Sequence, residues 1–477
     1  MNQSHPSQHF HAVVIGGGLA GMLAAAAIES TGASVDILEG DTLPDIPAPR
    51  KGLPQARHAH VLMSGGANAM EQLLPGLTSR LLAAGARRIS LPTGMVGFAP
   101  EGWYRRWKEE SQYVITCSRD LLDHTVRAAV LRREHITLHG GHRATGLNGS
   151  RTKVTAAQSV KDGVTHTWAA DLIIDATGRG TRLPAWLTEL GITGLDELRV
   201  DSGLAYASRI FRSPAGDADW PIVNIQADSR LGIPGRAGTL LPIEDGRWLA
   251  SLSGTRGGQP TSDPDHFTAF ARTLRHPLIA ELLEHAEPLS DVSINRSTVN
   301  ARRLYEKLAV WPDGLLAIGD AVATYNPVYG HGMSVAAQQS LILRDELARR
   351  DIRTPGTTRS VHRAAARPAN VAWTLATGQD IHYPDVQGGN PGLADRIVQA
   401  YASRLAYAAC GRQDAAEALT EVMTLNADPM SLFLNTRTVW AAIRGPLRPP
   451  QNGPKFTAEE RRHLAARTAT DGTEPPA

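Results

Sequence analysis

The sequence is short of cysteine, of charge imbalance and of long apolar runs, and each shortage narrows the class of protein. Its 477 residues include two cysteines, Cys117 and Cys410, which are too few for a disulfide framework or a cysteine-based metal site. Forty-nine basic residues nearly balance 47 acidic ones, so composition gives no case for a nucleic acid or an anionic membrane as partner. No run approaches the roughly 18 apolar residues of a membrane span, and the N-terminus lacks a signal pattern. We therefore expect a cytoplasmic protein of two or three modules without a membrane span.

Residues 11–39 carry the most informative pattern in the chain. The β-branched run "AVVI" is typical of a buried parallel strand, and a glycine-rich turn and an Ala/Leu-rich helix follow it directly. In such a turn the first glycine allows the tight bend, the second lets a pyrophosphate approach the backbone, and the third permits close helix–strand packing. The helix N-terminus adds unpaired N–H groups and a positive dipole end. The pattern predicts a dinucleotide site that includes Gly16, Gly18, Leu19, Ala20 and Gly21.

A second strand, "SVDIL", ends at Glu39, eighteen residues after Gly21. A carboxylate at this place accepts hydrogen bonds from ribose hydroxyls, which favours an adenosine ribose without a 2′-phosphate. The first two strands alone leave open whether the cofactor is FAD or NAD. An NAD dehydrogenase would continue with a further regular βαβ unit after Glu39, but a proline-rich stretch follows instead. The choice between FAD and NAD therefore depends on later segments.

Residues 314–343 form a second strand–turn–helix pattern. Gly319-Asp320 stands at the carboxyl end of the apolar strand "GLLAI", where open α/β sheets bind ligands. Pro327 stiffens the loop, and Gly330 and Gly332 let the backbone approach a flat ring. A helix beginning near Met333 would point its N-terminus at that ring and stabilise negative charge on a reduced flavin. The segment resembles the GD fingerprint of FAD-dependent aromatic hydroxylases, which implies that Asp320 contacts the ribityl chain.

Two further segments match the same superfamily. "TCSRDLLDHTVRAAVL" (116–131) begins a helical pattern after an arginine, and by resemblance Arg119 lies against the ribityl–phosphate region, where a guanidinium fork suits phosphate. "ADLIIDATGRGTRL" (170–183) occupies the place of the DG fingerprint, but Thr177 stands where that fingerprint has aspartate. The aspartate of that fingerprint is linked in the family to both FAD and NADPH. Its replacement by Thr177 argues against direct use of NADPH, though not against FAD binding.

The stretch "RKGLPQARHAH" (50–60) permits three interpretations: a metal site at His58 and His60, a catalytic histidine, or a cofactor loop. The two histidines stand two residues apart with no third ligand nearby, which disfavours a metal. Arg50 follows Glu39 by eleven residues, about where the superfamily places an arginine on the adenosine ribose or pyrophosphate. We favour the cofactor loop, with Arg57 to His60 opening the next helix.

Over nearly its whole length the chain resembles the group A flavoprotein monooxygenases, and within them the flavin-dependent epoxidases of polyether ionophore biosynthesis. The narrow segments that carry the resemblance are "RKGLPQARHAHVLMSGGA", "CSRDLLD", "DATGRGTRL", "RSTVNARRLYEKLAVWPDGLLAIGD" and "NPVYGHGMS". The resemblance implies FAD, O2 and a C4a-hydroperoxyflavin that epoxidises one or more alkenes of an apolar linear polyketide polyene. It further implies NAD(P)H as electron source, directly or through a flavin reductase, and an epoxide hydrolase partner that closes the ether rings.

Epoxidation is electrophilic oxygen transfer and needs no deprotonation of the substrate, so no dedicated acid–base pair is expected. Tyr325, Asn326 and Tyr329 are candidates for the pocket wall, and core packing is the alternative for each. The same motifs would serve a non-redox pericyclic cyclase or an aromatic hydroxylase, and both stay open. A flavin halogenase is disfavoured because no W-x-W-x-I-P segment occurs.

The expected fold is α/β: a Rossmann-like FAD-binding domain of the GR2 or aromatic-hydroxylase type, with an inserted antiparallel-sheet substrate domain and a helical C-terminal layer. The Asp245-Gly246 turn predicts a hairpin in the insertion. We place the discontinuous FAD-binding domain at 1–82, 113–190 and 296–345, the substrate domain at 83–112 and 191–295, the helical region at 346–444 and a flexible tail at 445–477.

Overall fold

A computed structural model describes residues 10–214, 216 and 219–468. Its strands are β1 (His11–Ile15), β2 (Ser34–Glu39), β3 (Val61–Met63), β4 (Arg87–Leu91), β5 (Met95–Ala99), β6 (Gly102–Trp103), β7 (Gln112–Thr116), β8 (Ile136–Gly140), β9 (Arg143–Gly149), β10 (Val154–Lys161), β11 (Val164–Ala169), β12 (Leu172–Asp175), β13 (Glu197–Val200), β14 (Ala205–Arg212), β15 (Ile222–Ile225), β16 (Arg236–Ile243), β17 (Arg247–Gly254), β18 (Glu287–Pro288), β19 (Ser293–Asn295), β20 (Asn300–Arg303), β21 (Leu315–Ala317) and β22 (Ala323–Thr324). Its helices are α1 (Leu19–Glu29), α2 (Ser64–Leu73), α3 (Leu77–Ala83), α4 (Arg119–Val130), α5 (Leu183–Glu189), α6 (Pro264–Arg272), α7 (Leu278–Leu283), α8 (Gly332–Arg349), α9 (Thr357–Asp380), α10 (Leu393–Ala409), α11 (Gln413–Met423), α12 (Ser431–Leu434), α13 (Thr436–Arg444) and α14 (Ala458–Thr468).

A five-stranded parallel sheet, in the order β21-β12-β1-β2-β8, forms the first module from three separate parts of the chain. Successive side chains of β1 enter two different cores: Ala12 and Val14 pack with α1, while Val13 and Ile15 pack on the opposite face. Because strand side chains alternate and both faces are covered, the strand is apolar throughout. This confirms the α/β fold and the Rossmann-like sheet.

An eight-stranded, mostly antiparallel sheet forms the inserted module, with β14, β17 and β16 at its centre. The predicted hairpin joins β16 to β17, and its two turn residues, Asp245 and Gly246, have φ values of 59° and 60°. Two positive φ angles give the turn the twist that an antiparallel hairpin needs. β5 and β6 extend the same sheet, so the segment before residue 112 also contributes to it.

Helices α9 to α13 make up the predicted helical layer, and none of the described helices is long and apolar enough to cross a bilayer. Residues 445–463 differ from the prediction of a flexible tail, because they pack along the inserted sheet. Gln451 bridges to Trp103, the Phe456 ring stacks on Trp220, and Glu460 accepts hydrogen bonds of 2.6 and 2.7 Å from Arg106. Residues 469–477 of that prediction lie outside the described part of the chain.

A buried histidine on α9 predicts acid sensitivity. His362 packs against the rings of Trp311 and Tyr305, and neither ring nitrogen has a hydrogen-bond partner among the described residues. Burial, reinforced by Arg302, lowers the pKa of His362 to about 3. Below pH 6.5 the His362 ring becomes protonated in the unfolded chain but stays neutral in the folded one. The free energy of unfolding is therefore unaffected by this residue above pH 6.5 and decreases as the pH falls from 6.5 toward 3. The loss from this residue is about 2 kcal/mol at pH 5.

Between pH 7 and pH 5 we expect the melting temperature of His362→Phe to decrease less than that of the wild type, because the phenylalanine ring cannot be protonated. Calorimetry or circular dichroism at both pH values measures this difference. His266→Gln, at a ring that is 70% exposed, is the control and should follow the wild type. Identical pH slopes for His362→Phe and the wild type would refute the assignment.

Candidate active site

The carboxyl edge of the parallel sheet gathers the predicted nucleotide-binding residues. The glycine-rich turn follows β1, Glu39 ends β2, and Gly319-Asp320 follows β21. Glu39 accepts a 2.8 Å hydrogen bond from the backbone N–H of Gly17 and a 2.9 Å bond from that of Asp41. Gly16, Gly18, Leu19, Ala20, Gly21, Glu39 and Asp320 therefore share one edge of the sheet, as a dinucleotide site requires.

The three glycines of the G-x-G-x-x-G pattern, Gly16, Gly18 and Gly21, are constrained in different ways. Gly16 has a φ of 103°, and a Cβ there would lie 2.6 Å from the carbonyl oxygen of Ala176. A Cβ on Gly21 would lie 1.8 Å from the carbonyl oxygen of Gly16. A Cβ on Gly18 meets only the Arg50 guanidinium, 3.7 Å away. Packing of the protein itself thus demands glycine at Gly16 and Gly21, whereas Gly18 leaves space that a ligand can use.

This difference predicts that Gly18→Ala folds normally and binds FAD about tenfold more weakly, because its methyl group occupies the space left for a pyrophosphate. Thermal melting of the FAD-free protein and a fluorescence titration with FAD measure the two effects separately. Gly453→Ala, where an added Cβ meets nothing within 4 Å, is the matched control. Unchanged FAD affinity in Gly18→Ala would remove this glycine from the site.

Arg50 links the turn to α4. Its Nη1 lies 3.5 Å from the Glu39 carboxylate and its Nη2 lies 3.4 Å from that of Asp123. The side chain is only 6% exposed, yet its Nε has no hydrogen-bond partner among the described residues. The sequence placed Arg50 near the cofactor but assigned nothing to Asp123, although "CSRDLLD" contains it four residues after Arg119.

Arg119 is the first residue of α4, where the Ser118 hydroxyl caps the helix by accepting a hydrogen bond from Leu121 N–H. Its side chain is buried, and its Nε also finds no partner in the described part of the chain. Burial lowers the pKa of the Arg119 guanidinium; Asp123 and Asp320 oppose that shift, and Arg50 adds to it.

Two buried guanidinium groups with hydrogen bonds still to make, beside a glycine turn with open space, fit a polyanionic group such as a pyrophosphate. The residues present are therefore suited to FAD.

Asp320 and the loop after it approach the same region. Burial raises the pKa of Asp320, and Arg179, Arg119 and Arg303 oppose that shift. Gly330 has a φ of 68°, and a Cβ on Gly332 would lie 3.7 Å from Asp320 Oδ1. α8 begins at Gly332, as predicted within one residue, and no side chain caps its N-terminus. The loop therefore presents the free N–H groups of α8, including that of Met333, close to Asp320.

The three pocket candidates are all held by protein groups. Tyr325 donates to the carbonyl of Ala369, and Asn326 donates to both oxygens of Asp380 at 3.0 and 3.2 Å. The Tyr329 hydroxyl donates to Asp380 Oδ1 at 2.8 Å. The loop from Tyr325 through Pro327 to Gly332, here called the GHG loop after its last three residues, is thus anchored to α9, mainly through Asp380 at the end of that helix.

Asp380 is the central residue that the sequence did not reveal. Besides the GHG loop it accepts hydrogen bonds from Asn300 Nδ2 at 2.7 Å and from Ser202 Oγ at 3.3 Å. Burial raises the pKa of its carboxyl, and the donors oppose that shift. Asp380 lies more than fifty residues after Asn326 and Tyr329, which it holds, and in no motif, so no local signal pointed to it.

The "RHAH" segment differs from the predicted helix start. A 3-10 helix covers Pro54–Arg57, His58 to His60 are extended into β3, and the helix begins only at Ser64. The chain is extended because it packs on the inserted sheet: His58 Nδ1 lies 2.9 Å from Ser208 Oγ, and the ring meets Tyr206 edge-on. Burial lowers the pKa of His58 to about 4 and, with Arg119 nearby, that of His60 to about 3.

Metal binding finds no support in this segment. No group of three or more His, Cys, Asp or Glu residues within the described ranges could hold a metal ion. His60 Nδ1 contacts the backbone oxygen of His58 at 2.8 Å. The segment connects the module that carries the glycine-rich turn to the inserted sheet.

Thr177, at the place of the family aspartate, is exposed, but its polar groups hydrogen-bond to a buried carboxylate. Its N–H and hydroxyl both donate to Asp175, at 3.0 and 2.6 Å, and Thr181 donates to the other oxygen of the same carboxylate. Asp175 is fully buried, and burial raises its pKa. The carboxylate of this segment is therefore used by the fold.

The fold and this edge of the sheet define the class: a protein built on a FAD-binding domain with an inserted, mostly antiparallel sheet. The family model described as "FAD binding domain" matches residues 9–373, and the chain belongs to that family. It is therefore an FAD-dependent enzyme of the monooxygenase and hydroxylase type.

Relatives and solved structures extend this result. Protein Rv3254 of Mycobacterium tuberculosis (strain ATCC 25618 / H37Rv) is 32% identical over 393 residues, which cover 78% of this chain and 80% of that protein. The flavin-dependent brominase Bmp2 has a similar structure, with a TM-score of 0.65 at 16% identity over 92% of this chain and 98% of that one. PqsL of Pseudomonas aeruginosa, described as "a probable FAD-dependent monooxygenase", gives 0.55 at 16% identity over 79% and 98%. At such identities the structures show a shared fold.

Proposed function

We propose that the protein is an epoxidase, which transfers oxygen from O2 to one or more carbon–carbon double bonds of an apolar linear polyketide polyene in polyether biosynthesis. The observation that carries the proposal is the state of the GHG loop. Tyr325, Asn326 and Tyr329 all donate to protein acceptors, and burial raises the pKa of both tyrosine hydroxyls, so neither tyrosine supplies a base. Oxygen transfer to an alkene removes no proton from the substrate and needs no such group.

The histidines between the two modules support the same reaction. With pKa values lowered to about 4 and about 3, His58 and His60 are neutral and weakly basic at physiological pH. Hydroxylation of a phenol is assisted by a base that removes the phenol proton, and neither ring is suited to that task. An alkene substrate makes no such demand.

Bound FAD, once reduced, supplies the oxygen chemistry, and the protein supplies binding and orientation. Arg50 and Arg119 would hold the pyrophosphate, Glu39 the adenosine ribose and Asp320 the ribityl chain. The N-terminus of α8 would favour negative charge on the ring system. Because Thr177 replaces the aspartate linked to NADPH in the family, we propose that electrons come from NAD(P)H through a partner reductase.

The proposal is tested by oxygen and reductant consumption with a panel of substrates, a flavin reductase being added. We expect a linear polyene to stimulate consumption and to gain the mass of one oxygen atom per epoxide. A phenol should not be hydroxylated, and bromide should not be incorporated. Hydroxylated phenol without polyene oxidation would indicate an aromatic hydroxylase and overturn the proposal. A brominated product would indicate an activity like that named for Bmp2.

A further inference from the structure

Several large apolar side chains of the C-terminal helical layer are exposed to solvent and do not pack in the core. Leu434 is 75% exposed, Ile443 60% and Trp440 55%. On α13 the small residues Thr438, Ala441 and Ala442 face inward, while Trp440 and Ile443 face out. Large apolar groups outside and small ones inside are the reverse of an ordinary surface helix, and contiguous patches of this kind mark interaction sites.

These side chains belong to one surface. Leu393, Ile397, Tyr401 and Arg404 share a face of α10, since they follow helical spacing. That face lies along α12 and α13: the Tyr401 ring stacks on Phe433 at 4.7 Å, and Arg404 donates to the carbonyl of Ile443. The C-terminal apolar surface is defined here by Leu393, Ile397, Phe433, Leu434, Trp440 and Ile443.

Positive charge accompanies the apolar groups. The sequence has no acidic residue from 429 to 458 but contains Arg437, Arg444, Arg448 and Lys455 there. The Arg444 guanidinium lies 5.1 Å from the centre of the Trp440 ring. On α10 the single carboxylate, that of Asp395, is outnumbered by Arg396 and Arg404. The balanced charge of the whole chain therefore conceals a locally cationic apolar surface.

The positive charge of the C-terminal apolar surface indicates which kind of partner can bind there. A second copy of the chain placed symmetrically on this surface would set arginines against arginines, which is unfavourable. An anionic bilayer offers both an acyl region for Trp440, Ile443 and Leu434 and phosphate groups for the arginines. Helices that lie in the headgroup region without spanning the membrane typically combine exposed Trp and Leu side chains with arginines, as this surface does.

We propose that the C-terminal apolar surface binds reversibly to the surface of an anionic lipid bilayer. Binding itself does not depend on the reaction. If the substrate is an apolar polyene, as proposed above, the same contact brings the enzyme to the phase in which such a substrate dissolves.

Vesicle co-sedimentation of the full-length, FAD-loaded protein tests the proposal. We expect binding to vesicles of equal parts phosphatidylcholine and phosphatidylglycerol, and little binding to phosphatidylcholine alone. Trp440→Ser/Ile443→Ser should lower the bound fraction about tenfold, and Arg437→Glu/Arg444→Glu should do the same. Val164→Ser/Leu198→Ser removes exposed apolar side chains elsewhere and should bind like the wild type.

Retained FAD in every variant shows that the fold is intact and keeps this result separate from the reaction. Wild-type protein that stays in the supernatant overturns the proposal, as does equal binding of the Trp440→Ser/Ile443→Ser variant. Light scattering tests whether the surface is instead a contact between two copies of the chain. If the wild type is a dimer and Trp440→Ser/Ile443→Ser is a monomer, the membrane proposal is wrong.

Discussion

Arg50→Ala and Arg119→Ala should each weaken FAD binding by about 30-fold, because each removes a charge-assisted contact worth about 2 kcal/mol. Both guanidinium groups are buried, and the Nε of each finds no partner among the described residues, so their bonding capacity is not used up by the protein. Arg50→Lys should recover only part of the affinity, since an ammonium keeps the charge but lacks the fork. Equilibrium titration of the FAD-free protein, followed by fluorescence, gives the dissociation constants.

Two controls separate this effect from a general loss of stability. Arg106→Ala breaks a comparably buried ion pair with Glu460 on the other module and should leave FAD affinity unchanged. His58→Ala and His60→Ala should also retain FAD, because we assign these histidines to the wall of the site. If both arginine variants bind FAD like the wild type, the pyrophosphate assignment fails. Lost turnover with normal FAD content in the histidine variants would restore a catalytic role for that segment.

Asp380→Ala should lower the free energy of unfolding by about 3–5 kcal/mol, because it leaves the buried donors of Asn300, Asn326 and Tyr329 without their acceptor. Asp380→Asn should fall between the wild type and the alanine variant, since an amide oxygen can still accept from Tyr329. Urea denaturation measures the order. Asp291→Ala, which truncates an exposed aspartate, is the comparison.

The asparagine variant also tests whether Asp380 positions the GHG loop. A loosened loop should change the absorbance and fluorescence of bound flavin and increase the share of reductant that ends as hydrogen peroxide. A purely structural role would lower stability and leave the flavin spectrum of Asp380→Asn as in the wild type. In that case the loop is not held in place by this carboxylate.

The parts of the fold set by local sequence could be predicted. The glycine turn, the strand before it and the helix after it obey constraints within a few residues, such as the 1.8 Å approach at Gly21. The Asp245-Gly246 hairpin is equally local, since two positive φ angles suit these residues. Arg119 and Asp320 were assigned from the family resemblance, and the structure places Arg119 at the start of α4 and Asp320 shortly after β21.

The remaining features depend on contacts between distant segments. His58 to His60 do not open a helix because Ser208 and Tyr206, some 150 residues later, hold the segment extended. The proline-rich stretch after residue 445 is ordered by Arg106 and Trp220, which composition does not reveal. Asp123 and Asp380 become visible as site residues only when the fold brings them to Arg50 and Tyr329.

The most direct test of the proposed function is turnover of a linear polyene under 18O2 with FAD, NAD(P)H and a flavin reductase. We predict one 18O atom in each epoxide formed, and no product without O2 or without reductant. Product formed anaerobically without reductant and without added oxygen would identify a cyclase on the same scaffold and would contradict the account. Product oxygen that derives from water would contradict it as well.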